Sequence, residues 1–470
     1  MAGIKSFSAY VPRYRLGQDV VPKVVGVGGL RGERAIANFD EDSLTMAVAA
    51  ALNCLGNTDR SQIDGLFFAT TSPPYKERSS GTIIAATLGL RSDIRIADFT
   101  NSLRGGTLAL SFAVDAIQSK AIRNALVIAA DSRPARAFGN HAQLFGDGAV
   151  ALLVGESDIS VDIEGFSSVF NELMDQWKID TDNYLRTAED RFMLTEGYFK
   201  IVGEAVSKLM GELNTTATEI TKAVIYAPDA RSQVALAGKL GFDPRTQLQD
   251  SLLSTVGNTG TASALMMLVA VLEEAKQGDR ILMANYGNGG DACLLRVVGN
   301  TGNNGNSIKS QLASKTMISS YERYLKWRHL MEVEPMRRPP IPAPSVISLW
   351  REQKEVLSLV GSKCRKCGQI HYPPQRVCVN CLSKDDFDDY GLSDKKGHVT
   401  TYALDMTTPM TPDLPGIFAV VDYEGGGRNF CQMTDCEPQD VRVGMPVEMT
   451  LRKLYEVDGI NNYFWKAKPA

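Results

Sequence analysis

The chain of 470 residues contains no uninterrupted apolar run approaching the ~20 residues of a membrane-spanning helix, and its first ten residues lack the basic-then-apolar layout of a secretion signal. These absences make the cytoplasm the default compartment and argue against a membrane partner. Basic excess is missing too: 50 Lys and Arg stand against 54 Asp and Glu, a formal net charge of −4 with no local basic patch. Nucleic acid is disfavoured as a partner, because phosphate binding needs a positive stripe. Histidine is scarce, with four in all and only His141 before residue 300. What is present is a globular composition, 44% apolar and 22% charged, long enough for a sizeable core and about three domain-sized units.

Cysteine is unevenly placed. Of eight, Cys54 and Cys293 are isolated and six fall after residue 360. Cys364, Cys367, Cys378 and Cys381 form two Cys-x2-Cys pairs separated by ten residues. In a reducing compartment disulfides are disfavoured, whereas each pair lets two thiolates reach one ion at ~2.3 Å. Two such knuckles close a tetrahedral four-sulfur site with no position left for water, which predicts a structural zinc. A thioredoxin-type redox pair is the alternative, but it comes singly and follows a strand in a βαβ setting. His371 offers a substitute ligand that four cysteines make unnecessary. Lys363, Arg365 and Lys366 partly offset the charge of the thiolates. Cys431 and Cys436 read as ordinary strand and loop thiols.

Two composition breaks divide the chain. Residues 300–306 read NTGNNGN, a turn-forming polar stretch, and residues 334–344 read EPMRRPPIPAP, whose five prolines favour an extended strap. These breaks separate an N-terminal domain over 1–300, a connecting arm over 301–348 with the aromatic segment of Tyr321, Tyr324 and Trp327, a helix and zinc ribbon over 349–384, and a β-rich remainder over 385–470. In the N-terminal domain, apolar strands over 65–70, 94–99 and 125–130 flank an apolar helix over 106–119, which predicts a mostly parallel sheet covered on both faces. GGTLALSFAVDAIQSK, NALVIAADS and GDGAVALLVG are then echoed by NTGTASALMMLVAVLEEAKQGD, RILMANYG and NGGDACLLRVVG. Each copy is a Gly-Thr-opened apolar helix, a strand, a Gly/Asp turn and a closing strand, so one α/β unit is duplicated. An apolar helix that begins at a Gly pair belongs between two sheets, giving a layered α-β-α-β-α domain.

That order resembles the thiolase superfamily, within it the branch of hydroxymethylglutaryl-CoA synthases and ketoacyl synthase III. The resemblance spans residues 4–298, carried by ATTSPPY at 69–75, ADFTNSLRGGT at 97–107, FGDGAVALL at 145–153, GNTGTAS at 257–263 and GDRILMANYGNGGDA at 278–292. It implies Claisen chemistry on coenzyme A thioesters through an acyl-cysteine at the start of the buried central helix, where helix-end N–H groups favour thiolate and oxyanion. The family's cysteine falls at Leu103, whose isobutyl group cannot attack a thioester. Its proton-moving glutamate falls at Thr71 and its histidine at Tyr226. Of that polar set only Asn258 stays in place, as a carbonyl hydrogen-bond donor.

Substitute groups have plainer readings beside them. Ser102 neighbours Leu103, but one residue of helical rotation swings a side chain by about 100° and serine needs a base to ionise it, so capping explains it better. Tyr226 with Asp229 can form a non-covalent acid/base pair, against a core tyrosine that ends a strand. Glu77 reads as a solvated loop charge and His141 as a surface or interface residue. The glycines of 287–290 read as a tight turn lining the pocket, and only weakly as a phosphate loop.

Residues 347–470 resemble the zinc-ribbon plus OB-fold family of acyl-CoA-associated proteins, through a leading helix with Trp350, the phrase YPPQRVCVNC, and the alternating strands of HVTTYALDM, GIFAVVDYEGGGRNFCQM, MPVEMTLRKLYEVDG and NNYFWKAKPA. That family implies a bridge that holds a thiolase against a synthase-like partner and lines the passage for the pantetheine arm. Asp385, Asp386, Asp388 and Asp389 make the barrel's entry acidic, which argues against single-stranded nucleic acid. The combined expectation is a synthase-like subunit with a degenerate active site and a bridging module, in a hetero-oligomeric acyl-CoA thiolase or acyltransferase. A separate thiolase subunit supplies the chemistry, the thiolase-like domains pair as a homodimer, zinc is structural, and a coenzyme A thioester is substrate or ligand. The alternative is an autonomous acyl-CoA retro-aldolase or condensing enzyme that works without an acyl-cysteine, through Tyr226, Asn258 and Ser102.

Overall fold

The computed structural model describes residues 2–25, 29–301, 306–332, 334, 341–407 and 411–470. The turn expected at 302–305 and most of the proline strap, 335–340, lie outside them. The chain divides into two units, one of Met1–Ala37, Asp42–Thr82 and Arg91–Leu330, the other of Asn38–Glu41, Ile83–Leu90 and Met331–Ala470. Among the described residues no helix is long and apolar enough to cross a membrane.

The first unit is built on a sheet of nine strands: β1 (Gly3–Tyr10), β2 (Gly65–Thr70), β3 (Arg95–Thr100), β4 (Asn124–Asp131), β5 (Gly148–Gly155), β6 (Val161–Phe170), β7 (Lys222–Ile225), β8 (Arg280–Tyr286) and β9 (Gly289–Val297). Their order is β7-β8-β9-β6-β1-β5-β4-β2-β3. β2 runs parallel to β3 and β4, and β7 to β8; the other neighbours are antiparallel. The sheet is therefore mixed and not mostly parallel. Continuous apolar runs report that both faces are buried and carry no information on strand direction. Direction is set by the connections: β8 reverses into β9 through Gly287 and Asn288, the latter at φ 51°, a hairpin that can only be antiparallel.

The duplication is present as helix α1 (Gly105–Gln118) with β4 and β5, and helix α2 (Ser263–Leu272) with β8 and β9. α1 packs on β2, β3 and β4, α2 packs on β7, β8, β1 and β5, and the two helices touch. Gly106 explains why a Gly pair opens the buried helix. A Cβ there would stand 2.6 Å from the Thr261 carbonyl oxygen and 3.2 Å from the Ala129 Cβ. Helices Ser43–Leu55 and Lys200–Glu212 cover strands of the first and second halves respectively, completing a layered thiolase-like domain. Tyr321, Tyr324 and Trp327, which the sequence assigns to the connecting arm, are buried within this unit. Trp327 meets Tyr14 edge-on at 4.9 Å and the Arg34 guanidinium lies 4.6 Å over the Tyr324 ring.

In the second unit, Val360–Cys364 pairs with Ile370–His371 on one side and Phe387–Gly391 on the other. Five antiparallel strands follow, in the order Arg428–Gln432, Gly416–Tyr423, Lys396–Asp405, Pro446–Val457, Ile460–Pro469. A parallel bridge between Met433 and Ala467 joins the outer strands and closes the barrel. Alternation sets its inside: Ile417, Ala419, Val421 and Tyr423 are buried, as a period of two requires. One part of the barrel is unlike an apolar core. Arg452 and Lys466, both buried, face Asp40, Glu41 and Asp435.

Candidate functional site

Leu103 stands in the turn before α1 and is 7% exposed. It packs on Gly287, where a Cβ would lie 3.0 Å from the Leu103 Cβ. The neighbouring polar groups are committed. Ser102 Oγ donates to the Gly287 carbonyl at 3.0 Å and accepts from the Arg104 N–H at 3.3 Å, so it caps the turn before the helix. Arg104 Nε donates to the same carbonyl at 2.8 Å, and its Nη1 reaches Asp291 at 2.8 Å and Ser168 at 3.0 Å. Asp291 also accepts from Thr107 at 2.6 Å and Ser168 at 2.7 Å. Gly289, at φ 142°, leaves room for the guanidinium: a Cβ would stand 2.8 Å from Arg104 Cζ. The glycines of 287–290 thus form the turn that lines the site.

Thr71 is held by Asp131, a fully buried carboxylate at the end of β4. Asp131 accepts from the Thr71 N–H at 2.7 Å and Oγ1 at 3.0 Å, from Thr70 at 3.0 Å and Ser72 at 2.8 Å, and from the Thr261 N–H at 2.8 Å and Oγ1 at 3.1 Å. This hub ties β2 to the start of α2, and Gly260 is required beside it because a Cβ would stand 2.1 Å from Asp131 Oδ2. Glu77 is exposed, as the sequence predicts.

Tyr226 and Asn258 are brought together. Asn258 Nδ2 donates to the Tyr226 hydroxyl at 3.0 Å. Asn258 Oδ1 accepts from the Gly260 N–H at 3.0 Å and from Arg133 Nη2 at 2.9 Å. Burial pushes the Tyr226 phenol up, opposed by Arg133 and Asn258, so it stays protonated at neutral pH. Asp229 is not its partner acid. It caps Ala230–Lys239, accepting from the Arg231 and Ser232 N–H groups at 2.9 Å each and from Ser232 Oγ at 2.7 Å.

Three residues of this neighbourhood, Arg133, Tyr198 and Tyr286, have no counterpart among those the sequence singles out. Arg133 is 9% exposed, its guanidinium 3.9 Å over the Phe145 ring. His141, which the sequence reads as a surface or interface residue, is half-buried and stacks on Phe145 at 4.6 Å. Burial and then the charge of Arg133 hold its imidazole below the usual range. Tyr198, in the π-helical turn Met193–Phe199, meets Tyr286 edge-on at 6.0 Å. Gly197 permits this approach, since a Cβ would stand 2.3 Å from the Tyr286 oxygen. Tyr286 donates to Asp175 at 2.8 Å. The available signal was the asymmetry of the repeat: β4 and β5 are joined by residues 132–147, which hold Arg133, His141 and Phe145, whereas β8 and β9 are joined by two residues.

The four zinc-motif cysteines converge. Their Sγ atoms all lie within 4.8 Å of one another, with Cys364 and Cys381 at 3.6 Å and Cys367 and Cys378 at 3.5 Å. A tetrahedral zinc with ~2.3 Å bonds to sulfur sets such edges at about 3.8 Å, so the cage fits. Each knuckle is closed by the same backbone bond: the Gly368 N–H donates to the Cys364 carbonyl at 2.8 Å and the Leu382 N–H to Cys378 at 3.0 Å. The Gln369 backbone N–H, helped by the neighbouring thiols, pulls the Cys367 thiol down to about 6, toward the thiolate a metal needs. His371 is buried beside Cys378 and supports it by a side-chain hydrogen bond. Arg365 pairs with Asp388 at 2.7 Å, so its charge is spent there and not on the thiolates. Asp385 likewise pairs with Arg376, and Asp389 with Lys354, at 2.8 Å each. Of the remaining thiols, burial pushes Cys54 and Cys431 up to about 12 and Cys293 well above its ordinary value, which leaves them inert.

The family of 3-oxoacyl-(acyl-carrier-protein) synthase III matches residues 97–170. The ChsH2 rubredoxin-like zinc ribbon domain matches residues 351–388, and the ChsH2 C-terminal OB-fold domain residues 392–452. Hydroxymethylglutaryl-CoA synthase of Thermococcus onnurineus is 32% identical over 302 residues, covering 63% of this chain and 86% of that protein. The enzyme of the same name from Thermococcus sibiricus is 33% identical over 323 residues, covering 67% and 90%. Among solved structures, a hydroxymethylglutaryl-CoA synthase complexed with CoA superposes with a TM-score of 0.62 at 18% identity, covering 69% of this chain and 89% of that one. The 3-oxoacyl-carrier-protein synthase III of Aquifex aeolicus gives 0.56 at 25% identity, covering 63% and 100%.

Proposed function

The chain belongs to the hydroxymethylglutaryl-CoA synthase family, and from that premise we propose that its synthase-like domain binds acyl-CoA thioesters without forming an acyl-enzyme, as the auxiliary subunit of a hetero-oligomeric acyl-CoA thiolase or acyltransferase. The observation that carries this is Leu103 on Gly287, with the neighbouring hydroxyls of Ser102, Thr107 and Ser168 committed to backbone or carboxylate. A nucleophile at this point needs a thiol or an ionisable hydroxyl and a base within reach. Leu103 supplies neither. Thr71 gives its proton to Asp131, and Tyr226 is a donor whose burial keeps it neutral. The remaining chemistry of the pocket is hydrogen-bond donation, which orients an acyl group and stabilises charge on its oxygen.

The zinc-ribbon and OB-fold modules in the same chain support a bridging role toward a separate thiolase. Bound zinc would be held by Cys364, Cys367, Cys378 and Cys381 and, with four protein ligands, supplies structure alone. Homodimerisation is supported by β3, the edge strand of the large sheet, which is half-exposed and carries Phe99 against the exposed Phe112 at 5.4 Å. An uncovered apolar edge of this kind is a template for a second strand. The test is to purify the chain alone and together with a separate thiolase that co-purifies with it from its native source. Thiolysis or condensation only in the mixture, with co-elution, is expected; full turnover by the chain alone overturns the proposal.

One observation favours the second reading, an autonomous enzyme without an acyl-cysteine. Asn258 donates to the Tyr226 oxygen at 3.0 Å, which leaves the Tyr226 O–H free to hydrogen-bond the thioester oxygen as it takes up enolate charge in a retro-aldol cleavage, the β-hydroxyl losing its proton to water as the C–C bond breaks and the enolate carbon taking one back. In that case Tyr226→Phe abolishes turnover by the isolated chain; an unchanged rate removes Tyr226 as the donor.

A further inference from the structure

The barrel strand Lys396–Asp405 is paired along its length on one side only. Gly416–Tyr423 follows it from Gly397 to Asp405. Pro446–Val457 meets it only at Lys396, Gly397 and His398, and the last backbone bonds on that side join Val399 to Met445 and Gly444. The ladder then slips by one residue at Thr400, a bulge of the kind that bends a strand away from its neighbour. Among the described residues, Tyr402, Ala403 and Leu404 have no second backbone partner, and Thr401 to Leu404 are all exposed. Alternate N–H and C=O groups of such an edge point outward and are a template for another strand. Edges are usually guarded by Lys, Pro or charge. The zinc-ribbon edge Phe387–Gly391 carries Asp388 and Asp389. Residues 400–406, by contrast, read TTYALDM, with no Lys, Arg, Pro or Gly and a single charge. Tyr402 and Leu404 lie on one face, as a period of two requires, and are 38% and 46% exposed.

We propose that this edge pairs with the same edge of a second copy of the chain, antiparallel about a two-fold axis at Ala403, so that two barrels share one continuous sheet. A two-fold axis perpendicular to a sheet keeps every side chain on its own face, and paired residues share a face, so the axis passes through a residue and not between two. Placed at Ala403, it sets Tyr402 opposite Leu404 of the second copy, twice. Both exposed apolar side chains are then buried in aromatic–aliphatic cross-strand pairs. On the other face Thr401 stands opposite Asp405 of the second copy, a hydroxyl donor beside a carboxylate. The two Asp405 carboxylates are kept roughly 13 Å apart along the strands, beyond the ~8 Å over which like charges repel at physiological salt. One short strand buries less than the ~800 Å² per partner of a standard interface, so the contact is weak and forms with concentration. It is independent of the β3 edge and of the acyl-CoA reading.

The test is sedimentation velocity of the full chain between roughly 1 and 100 μM, a range that brackets a weak contact. The mass of the wild-type chain is expected at least to double across it. Leu404→Lys sets a lysine opposite Tyr402 in both pairs, and should raise the midpoint concentration roughly tenfold with the melting temperature unmoved, since the position is exposed. Register is read separately by cross-linking. Opposed residues of an antiparallel pair stand about 4.5–5.5 Å apart at Cα, within disulfide reach, so Ala403→Cys should give a covalent dimer under mild oxidation. Thr401→Cys, whose two copies would lie roughly 13 Å apart, should not. The wild-type chain, with its own eight cysteines, is the blank. A mass that stays constant, or a midpoint that Leu404→Lys leaves in place, overturns the pairing. Cross-linking through Thr401→Cys and not Ala403→Cys overturns the axis at Ala403. A mass that rises only when a separate thiolase is added gives the edge to that protein and overturns the second copy as its occupant.

Discussion

Replacing Arg452 by methionine isolates what the buried charges of the second unit contribute. The guanidinium, fully buried, is paired with Glu41 and Asp435 and stands 3.6 Å from Asp40, which Lys466 approaches at 2.9 Å. Two cations face three carboxylates; without Arg452, one faces three. Removing one partner of a buried pair costs about 3–5 kcal/mol, because the charges left behind stay desolvated. For a unit of about 150 residues that lowers the melting temperature by roughly 6–20 °C. The pH dependence gives a second signature. Burial raises the Asp435 carboxyl, but Arg452, Lys468 and Asn38 outweigh it and hold the group below the ordinary value. A depressed carboxyl stabilises above its unfolded pKa of ~3.9, and that contribution is lost as pH falls through the folded value. Removing Arg452 leaves burial dominant, so the folded pKa rises above the unfolded one, and the variant loses stability as pH rises through it. The deficit of Arg452→Met should accordingly be larger at pH 8 than at pH 5, and Asp435→Asn in the same chain should restore part of it. Urea unfolding followed by the fluorescence of Trp465, whose Nε1 donates to the Leu357 carbonyl at 2.8 Å, reads both effects. A loss below about 1 kcal/mol, or one equal at the two pH values, refutes the cluster as a buried network.

Three other outcomes follow from the geometry. Purified chain should carry one zinc, and Cys378→Ser should lose it, measured by metal analysis; since structural zinc sites are worth roughly 10–16 kcal/mol, the ribbon strands should lose hydrogen-exchange protection as well. Asp131→Asn should destabilise the first unit by about 3 kcal/mol in thermal melts, because an amide offers donors where Thr70, Thr71, Ser72 and Thr261 already donate. Leu103→Cys should restore a thiol that alkylating reagents can find, without restoring turnover, because Thr71 and Tyr226 provide no base. A rate near that of an active synthase in this single variant would show that the cysteine was the sole deficit.

Much of the fold was legible. The strand over 65–70 is the observed β2, and the helix over 106–119 is α1 shifted by one residue, because runs of this kind are fixed by local burial and by Gly106. Strand direction was not, since it depends on how residues 132–147 and 287–288 return the chain. At the site, Tyr226 with Asn258 was legible through matching motifs. Arg133, Tyr198 and Tyr286 were not, because no spacing marks an arginine in a long connection or a tyrosine in a π-helical turn as neighbours of a residue a hundred positions away.

The sequence by itself determined the duplicated α/β unit, the zinc cage and the absence of a thiol at Leu103, because each is written in a local pattern of residue types. The tertiary structure decided which polar groups are spent and which are spare. Ser102, Asp229 and Arg365 turned out to be engaged in turn, cap and ion pair, and Arg133 and Tyr198 turned out to be buried with donors to give. A hydrogen-bond balance of this kind is a sum over distant segments, and only packing brings its two sides together.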